Sequence, residues 1–483
     1  MNKFNVGAGI LSIITESLYD NPIVVFREYV QNSVDSIFRN KINSQDNDIK
    51  IWNEENSLFF LDNGAGIKKE NFELEMVKIG ASNKKKQKNL GYKGIGRLSG
   101  IPYCNELIFV NVTDYASGYA QVYTIDGKRY EQIKQQDDYH ELSFEELMNK
   151  IGFYKEIQFD TDDILKKSLL KYSDLLRKTN NGFLVILKQI SQVLKDLIDN
   201  REKFIDNLQW LLPVDFQPEL YSSDVKELFE DITDEKLDSV PVKFCNIFYN
   251  DQKLYRPITR KKLRHYVCKN NFKYAIGFHT FNNDKIYIDS KNDFSGIRIY
   301  IDNMLLCDEQ ELLQSLDYYG MLLHTVNGQL QSVKGIGAMI YITDKLNICT
   351  NARRTFIEVT DTNSLEFLRL LAEFVNTIYD TRYAMSNYVS YKNKQEKNQS
   401  KLEELKNIAL QNMIKLAKEN VELPVDDDTK FEELSDIEKK RKIKKSISYK
   451  LDSLLNEYLN QLSTYDMDNS INNFLDWLKT KIV

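Results

Sequence analysis

The chain has 483 residues, of which 42% are hydrophobic and 12% aromatic, and its formal net charge is −6. That length exceeds one ordinary hydrophobic core, and that composition excludes an intrinsically disordered chain. The slight acidity gives no general reason to expect nucleic acid as a partner, although it is compatible with a local basic groove.

Residues 23–39 (IVVFREYVQNSVDSIFR) have the periodicity of an amphipathic helix, with Pro22 just before its start. Residues 48–53 and 57–62 read as two short strands around a turn at Glu54-Glu55-Asn56. Strands are expected again within 106–130 and at 182–190, with a helical insertion near 162–178 between them. A helix at roughly 190–212 stops at Pro213. A second segment then alternates in the strand manner at 242–249, 273–278, 285–288, 296–302 and 338–349, with a helix near 308–318. From about 364 onward glycine almost disappears and helices are expected. There Leu451, Leu454, Leu455, Tyr458, Leu459 and Leu462 form one apolar stripe, and 424–445 reads as a charged loop or hinge. No internal repeat is visible.

Glu28, Asn32 and Asp35 stand at i, i+4 and i+7 of the first helix and so share one face. Two carboxylates and an amide among Ile, Val, Phe and Tyr are costly unless partnered, though a solvated helix face would also explain them. Asp62-Asn63-Gly64-Ala65-Gly66 follows a strand. A strand-end Asp62 can accept a hydrogen bond from the amino group of an adenine, and Gly64 and Gly66 permit a sharp turn and close approach to a flat ligand. Taken alone, this pattern is a common turn. Ile79-Gly80-Ala81-Ser82-Asn83-Lys84 and Gly91-Tyr92-Lys93-Gly94-Ile95-Gly96 come next. A Gly-x-x-Gly-x-Gly run exposes successive backbone N–H groups, and a helix starting near Arg97 would add a favourable dipole for phosphate. The glycines do not follow a strand in a βαβ unit, and no Gly-Lys-Ser/Thr closes them, which argues against a Rossmann loop and a Walker loop.

The three pieces in this order resemble the GHKL superfamily of heat-shock protein 90 chaperones, DNA gyrase ATPase subunits, MutL-type repair proteins, MORC proteins and histidine kinases. Arg27 to Asp35 matches the N-box, Asp62 to Gly66 the first glycine box, and Gly91 to Gly96 the second. The likeness is good over about 5–110 and loose over about 180–360. It implies an α+β chain: a Bergerat-type α/β sandwich at 1–190 (a mixed sheet with helices on one face), a helical connector at 191–235, a transducer-like α/β domain at 236–362 and a helical region at 363–483. It implies ATP and Mg2+ as cofactors. Asn32 would hold Mg2+, Glu28 would act on the attacking water and Asp62 would read adenine. Asp35, Gly64, Gly66, Ser82, Lys84, Gly91, Gly94, Ile95 and Gly96 would complete the nucleotide site. The family's late Gly-Thr pair corresponds here to Gly182-Phe183, so another side chain or water must do the work of the Thr hydroxyl.

Glu28 favours hydrolysis over phosphotransfer to histidine, since histidine kinases usually lack that Glu and none of the four histidines precedes the ATP site on a helix. Arg353 and Arg354, at the end of an expected strand, resemble the cation that reaches the γ-phosphate from the second domain of MutL and chaperone relatives. Lys334 is an alternative, and a surface pair capping a strand is the plainer reading of the two arginines. The resemblance implies an ATP-driven clamp that dimerises on binding ATP. Its client would be a protein, as for a chaperone, or DNA, as for a MORC protein, and a subunit of a prokaryotic defence or DNA-management system is a further reading. Phe183 keeps a second reading open, a nucleotide-sensing scaffold that does not hydrolyse. Cys104, Cys245, Cys268, Cys307 and Cys349 contain no Cys-x-x-Cys pair, so neither a zinc site nor a disulfide framework is expected. No apolar run could cross a bilayer, and Met1 to Asn5 lacks a signal-peptide core, so a cytoplasmic protein is expected.

Overall fold

The computed structural model describes residues 7–18, 21–39, 48–77, 95–215, 245–256, 266–273, 275–281, 296–307, 325–326, 329–330, 336–342 and 357–377, with single positions at 310, 312, 313, 316, 321, 344, 348 and 350. The chain divides into two units, Met1–Phe216 with Lys243–Pro257, and Gln217–Val242 with Ile258–Val483.

The first unit opens with a short helix, α1 (Gly9–Ser12), which widens into a π-helical turn at Ile13–Leu18. Helix α2 (Ile23–Arg39) has the bounds that its periodicity predicts. Its first turn is held by Asn21, whose side-chain oxygen accepts from the Ile23 N–H at 3.1 Å. Strands β1 (Asp48–Glu54) and β2 (Ser57–Asp62) form a hairpin. Glu55 and Asn56 both take positive φ at its tip, the turn that matches strand twist. There follow α3 (Phe72–Val77), a 3-10 turn at Gly96–Tyr103, β3 (Cys104–Val112), β4 (Tyr119–Asp126), α4 (Gly127–Lys134), α5 (Phe144–Ile151), β5 (Gly152–Gln158), α6 (Asp163–Lys171), α7 (Ser173–Thr179), β6 (Gly182–Ile190), α8 (Gln192–Asp199) and α9 (Arg201–Leu211). The helix expected from Arg97 is therefore a 3-10 turn, interrupted by Pro102, and not an α-helix. Helix α5 starts from a reciprocal capping box between Ser143 and Glu146.

Strands β7 (Asn246–Tyr249) and β8 (Gln252–Lys253) complete an eight-stranded sheet in the order β5-β4-β3-β6-β2-β1-β7-β8. All its pairings are antiparallel except β1 with β7. Alternation groups 242–249 with the second segment, yet its described part, β7, extends the sheet of the first. Beyond β8, Arg256 is buried and donates from its guanidinium to the carbonyls of Gln209 and Trp210 at the C-terminal end of α9, where a helix favours a cation.

Alternation of side chains gives the sheet two faces. On one, Phe60 meets Phe26 and Tyr29 of α2 edge-on, at 5.4 and 5.1 Å between ring centroids. The other carries a core of Trp52, Phe59, Leu61, Val110, Val122 and Leu184, closed by Leu165, Leu169, Leu175 and Leu176 of α6 and α7. A mixed α/β sandwich is thus present, and the 162–178 insertion covers the face that the expected one-sided layering would leave bare.

The second unit contains a five-stranded sheet in the order β12 (Met304–Cys307), β11 (Gly296–Ile301), β15 (Ile336–Ile342), β10 (Ala275–Phe281) and β9 (Tyr266–Phe272). Strands β13 (Thr325–Val326) and β14 (Gln329–Leu330) pair with each other. A helix over 362–377, α10, buries Phe367, Leu368, Leu371, Phe374 and Val375, and Phe374 packs edge-on against Phe272 of β9.

Candidate nucleotide site

Helix α2 is a core helix. Between Val24 and Ile37 only Glu28 and Asn32 keep partial exposure, while Asp35 is 2% exposed. A solvated surface face therefore does not explain the polar triple. Its only solvent-accessible members lie one turn apart, where a ligand could reach both. Glu28 faces Gly96: a Cβ built on Gly96 would fall on the Glu28 carboxylate oxygen. The fold thereby brings the N-box acid against the last glycine of the second glycine box, 68 residues later in the chain.

Tyr29, the next residue on α2, fixes that approach. Its hydroxyl donates to the Arg97 carbonyl at 3.0 Å and accepts from the Gly100 N–H at 3.0 Å. Both partners lie in the 3-10 turn that begins at Gly96. Burial pushes the Tyr29 hydroxyl well above its ordinary pKa, so it stays protonated and keeps its donor role.

Asp62 ends β2, 2% exposed, and accepts from the Gly64 N–H at 2.9 Å. The loop it opens is seated on the last turns of α2. The Ala65 N–H donates to the Ser36 carbonyl at 3.2 Å, and the Gly66 N–H to the Ser36 hydroxyl at 3.2 Å. A Cβ on Gly64 would lie 2.7 Å from both the Ile37 nitrogen and the Ser36 carbonyl carbon, so no side chain fits there. Gly66 sits at φ +60°, a conformation costly for any other residue. Both glycines thus serve the sharp turn and the close packing of the loop against α2 and Asn111.

Phe183 pairs directly with Asp62 across the sheet and so shares its face. Its ring lies 6.3 Å from Phe72 and 6.4 Å from Phe109. The position opposite the Asp62 carboxylate is therefore filled by an aromatic cluster. Asn111 follows in the same cross-strand row, then Gln121 and Glu156. Asn111 and Gln121 are buried polar residues bound to the glycine loop, and Ser36 holds it from the other side. None of the three was picked out from the sequence. The one visible signal was for Asn111, an amide at a strand position whose i−2 and i−4 neighbours, Phe109 and Leu107, are buried.

Among the expected site residues, the structure gathers Glu28, Asn32, Asp35, Asp62, Gly64, Gly66, Ile95 and Gly96 around α2 and its facing loops. Ser82, Lys84, Gly91 and Gly94, and the cations Lys334, Arg353 and Arg354, lie outside the described residues. No group of His, Cys, Asp or Glu side chains among the described residues could hold a metal ion. A metal at Asn32 would have to take most of its ligands from phosphate oxygens and water, as Mg2+ commonly does.

A family model described as histidine kinase-, DNA gyrase B-, and HSP90-like ATPase matches residues 21–156, the span from the start of α2 to near the end of β5. Comparison with curated proteins finds no match. No helix among the described residues is long and apolar enough to cross a membrane.

Proposed function

Because residues 21–156 form an ATPase-family domain of the GHKL type, we propose that this chain binds ATP at the end of α2 and hydrolyses it with Glu28 as the base. The observation that carries this is the convergence of Glu28 and Gly96, with Asn32 open one turn away and Asp62 buried at the loop beyond. Asp62 would accept from the amino group of adenine, its carboxylate steered by the Gly64 N–H. Phe183, Phe72 and Phe109 would offer apolar and edge-on contact to the base in place of a hydroxyl. Asn32 would hold a Mg2+ ion, which neutralises charge on the phosphates when bound. Glu28 would orient and deprotonate the attacking water, and its position against Gly96 ties that step to the placement of the second glycine box.

On this reading the chain is a conformational clamp in which ATP favours a dimer, and Arg353, Arg354 or Lys334 supplies a cation to the γ-phosphate from the second unit. Whether its client is a protein or DNA is decided by surfaces outside the ATP site. The decisive test is the Glu28→Gln protein. It should bind ATP as the wild type does and turn it over about 10²–10⁴-fold more slowly. Equal turnover in the two would remove Glu28 from the mechanism. No turnover in the wild type, with ATP binding intact, would favour the nucleotide-sensing scaffold that Phe183 also suits.

A further inference from the structure

We propose that Asn111 and Gln121 are positioning residues that hold the loop after Asp62 in its nucleotide-binding shape, through a closed hydrogen-bonded ladder that begins and ends at Lys69. This inference rests on the proposed ATP site.

The ladder can be followed atom by atom. The Ile67 N–H donates to Asn111 Oδ1 at 3.0 Å, and Asn111 Nδ2 donates back to the Ile67 carbonyl at 2.7 Å. One amide side chain thus grips both backbone groups of Ile67, as a neighbouring strand would. The second hydrogen of Asn111 Nδ2 goes to Gln121 Oε1 at 3.0 Å. Gln121 Nε2 then donates to the Lys69 carbonyl at 3.0 Å and to the Tyr154 hydroxyl at 2.9 Å. Tyr154 passes its own hydrogen to Glu156 at 2.9 Å, and the other Glu156 oxygen meets the Lys69 ammonium at 2.9 Å.

Every hydrogen of both amides has an acceptor, and each amide oxygen has a donor. Turning either amide over would set like groups against each other, so the network admits one orientation only. Asn111 is 1% exposed and Gln121 5% exposed, where an amide left without partners is costly. Such a network specifies one geometry. The far end carries charge: Glu156 is held below the usual carboxylate range chiefly by its bond to Lys69, and Lys69 is raised by the same contact.

What the ladder specifies is the span Ile67–Lys69. The other side of the loop is fixed by Ser36 on α2. Gly64, whose N–H aims the Asp62 carboxylate, lies between the end of β2 and the Ala65–Gly66 bonds to Ser36, and the ladder fixes the stretch that follows directly after them. Releasing the ladder frees the loop on one side while leaving Glu28, Asn32 and Asp62 chemically intact. The signature of a positioning role is therefore loss of nucleotide affinity with little change in the chemical step at saturation.

The test compares wild type, Asn111→Leu, Gln121→Met and the milder Tyr154→Phe. The control is Asn105→Ala, which removes an exposed amide pair with Gln189 of β6 at the other end of β3. Affinity for a non-hydrolysable ATP analogue is read by calorimetry, turnover at saturating ATP by phosphate release, and loop order by hydrogen exchange of peptides spanning 62–70. Asn111→Leu and Gln121→Met each remove the three hydrogen bonds of one amide and should each weaken analogue binding about ten-fold, the cost of reordering the loop when nucleotide binds. Turnover at saturation should stay within about three-fold, and exchange should quicken in 62–70 but not across β3. Asn105→Ala should match wild type. If the two larger substitutions do not fold, Tyr154→Phe should still weaken binding by a factor of a few and quicken the same peptides. Wild-type affinity and exchange in the folded variants would overturn the positioning role and leave the ATP site standing. Failure of the wild type to bind the analogue would overturn the ATP reading and this inference with it.

Discussion

Gly64→Ala is the most discriminating single change at the site. The added methyl would lie 2.7 Å from the Ile37 nitrogen and the Ser36 carbonyl carbon, and ordinary contact begins near 3.4 Å. Those atoms belong to the backbone of α2, which is buried on nearly every side and cannot yield. The loop must therefore retreat by roughly 0.7 Å. The bonds from the Ala65 and Gly66 N–H groups to Ser36, both 3.2 Å, would stretch beyond hydrogen-bond range. At about 1 kcal/mol each, restoring them to bind nucleotide costs about 2 kcal/mol, or roughly a 30-fold rise in Kd. Calorimetric titration with a non-hydrolysable ATP analogue measures this directly, with far-UV circular dichroism showing that the fold is kept. A folded Gly64→Ala protein whose Kd lies within three-fold of wild type would refute the argument that the loop's seat on α2 sets affinity.

Gly96→Ala meets a different obstacle, the end of the Glu28 side chain, which can swing aside. It should lower turnover by at least ten-fold while ATP affinity changes only a few-fold, and steady-state phosphate release with parallel calorimetry checks both. Asp62→Asn exchanges an acceptor for an amide and should weaken ATP binding by about 1.5–3 kcal/mol, leaving a ligand that lacks the exocyclic amino group less affected; equal losses for both ligands would show that Asp62 does not read the base. Single alanine replacements of Arg353, Arg354 and Lys334 should include one that lowers turnover far more than affinity. Wild-type turnover in all three would confine catalysis to the first unit.

Sequence patterns were most informative where local chemistry decides the structure. Helix α2, the β1–β2 hairpin and β6 lie where their periodicity places them, because each carries its own start or stop: Asn21 and Pro22, the Glu55-Asn56 turn, and Gly182. The glycine loop was legible for the same reason. What escaped was set by distant partners. The 242–249 stretch reads as a strand, but nothing local says that Asp48, nearly two hundred residues away, receives the Asn246 amide at 3.0 Å. Strand β5 escaped because its alternation is polar and half-exposed, as suits a sheet edge. Ser36, Asn111 and Gln121 escaped because a lone polar residue in an apolar helix or strand declares a cost without naming the group that offsets it.

The return of β7 and β8 to the first sheet makes the first unit discontinuous along the chain. A truncation ending at 216 would strip the parallel partner from β1 and remove the Arg256 guanidinium from the end of α9, and one ending at 190 would remove α8 and α9 as well. The bared β1 edge would invite aggregation, whatever the state of the nucleotide site. A protease cut between 216 and 243 has the opposite outcome. It severs the chain but not the sheet, and the downstream fragment stays pinned through β7 by backbone hydrogen bonds to β1. The nicked protein should therefore elute as one species in native buffer and as two in denaturant, and separation without denaturant would show that β7 is only loosely held.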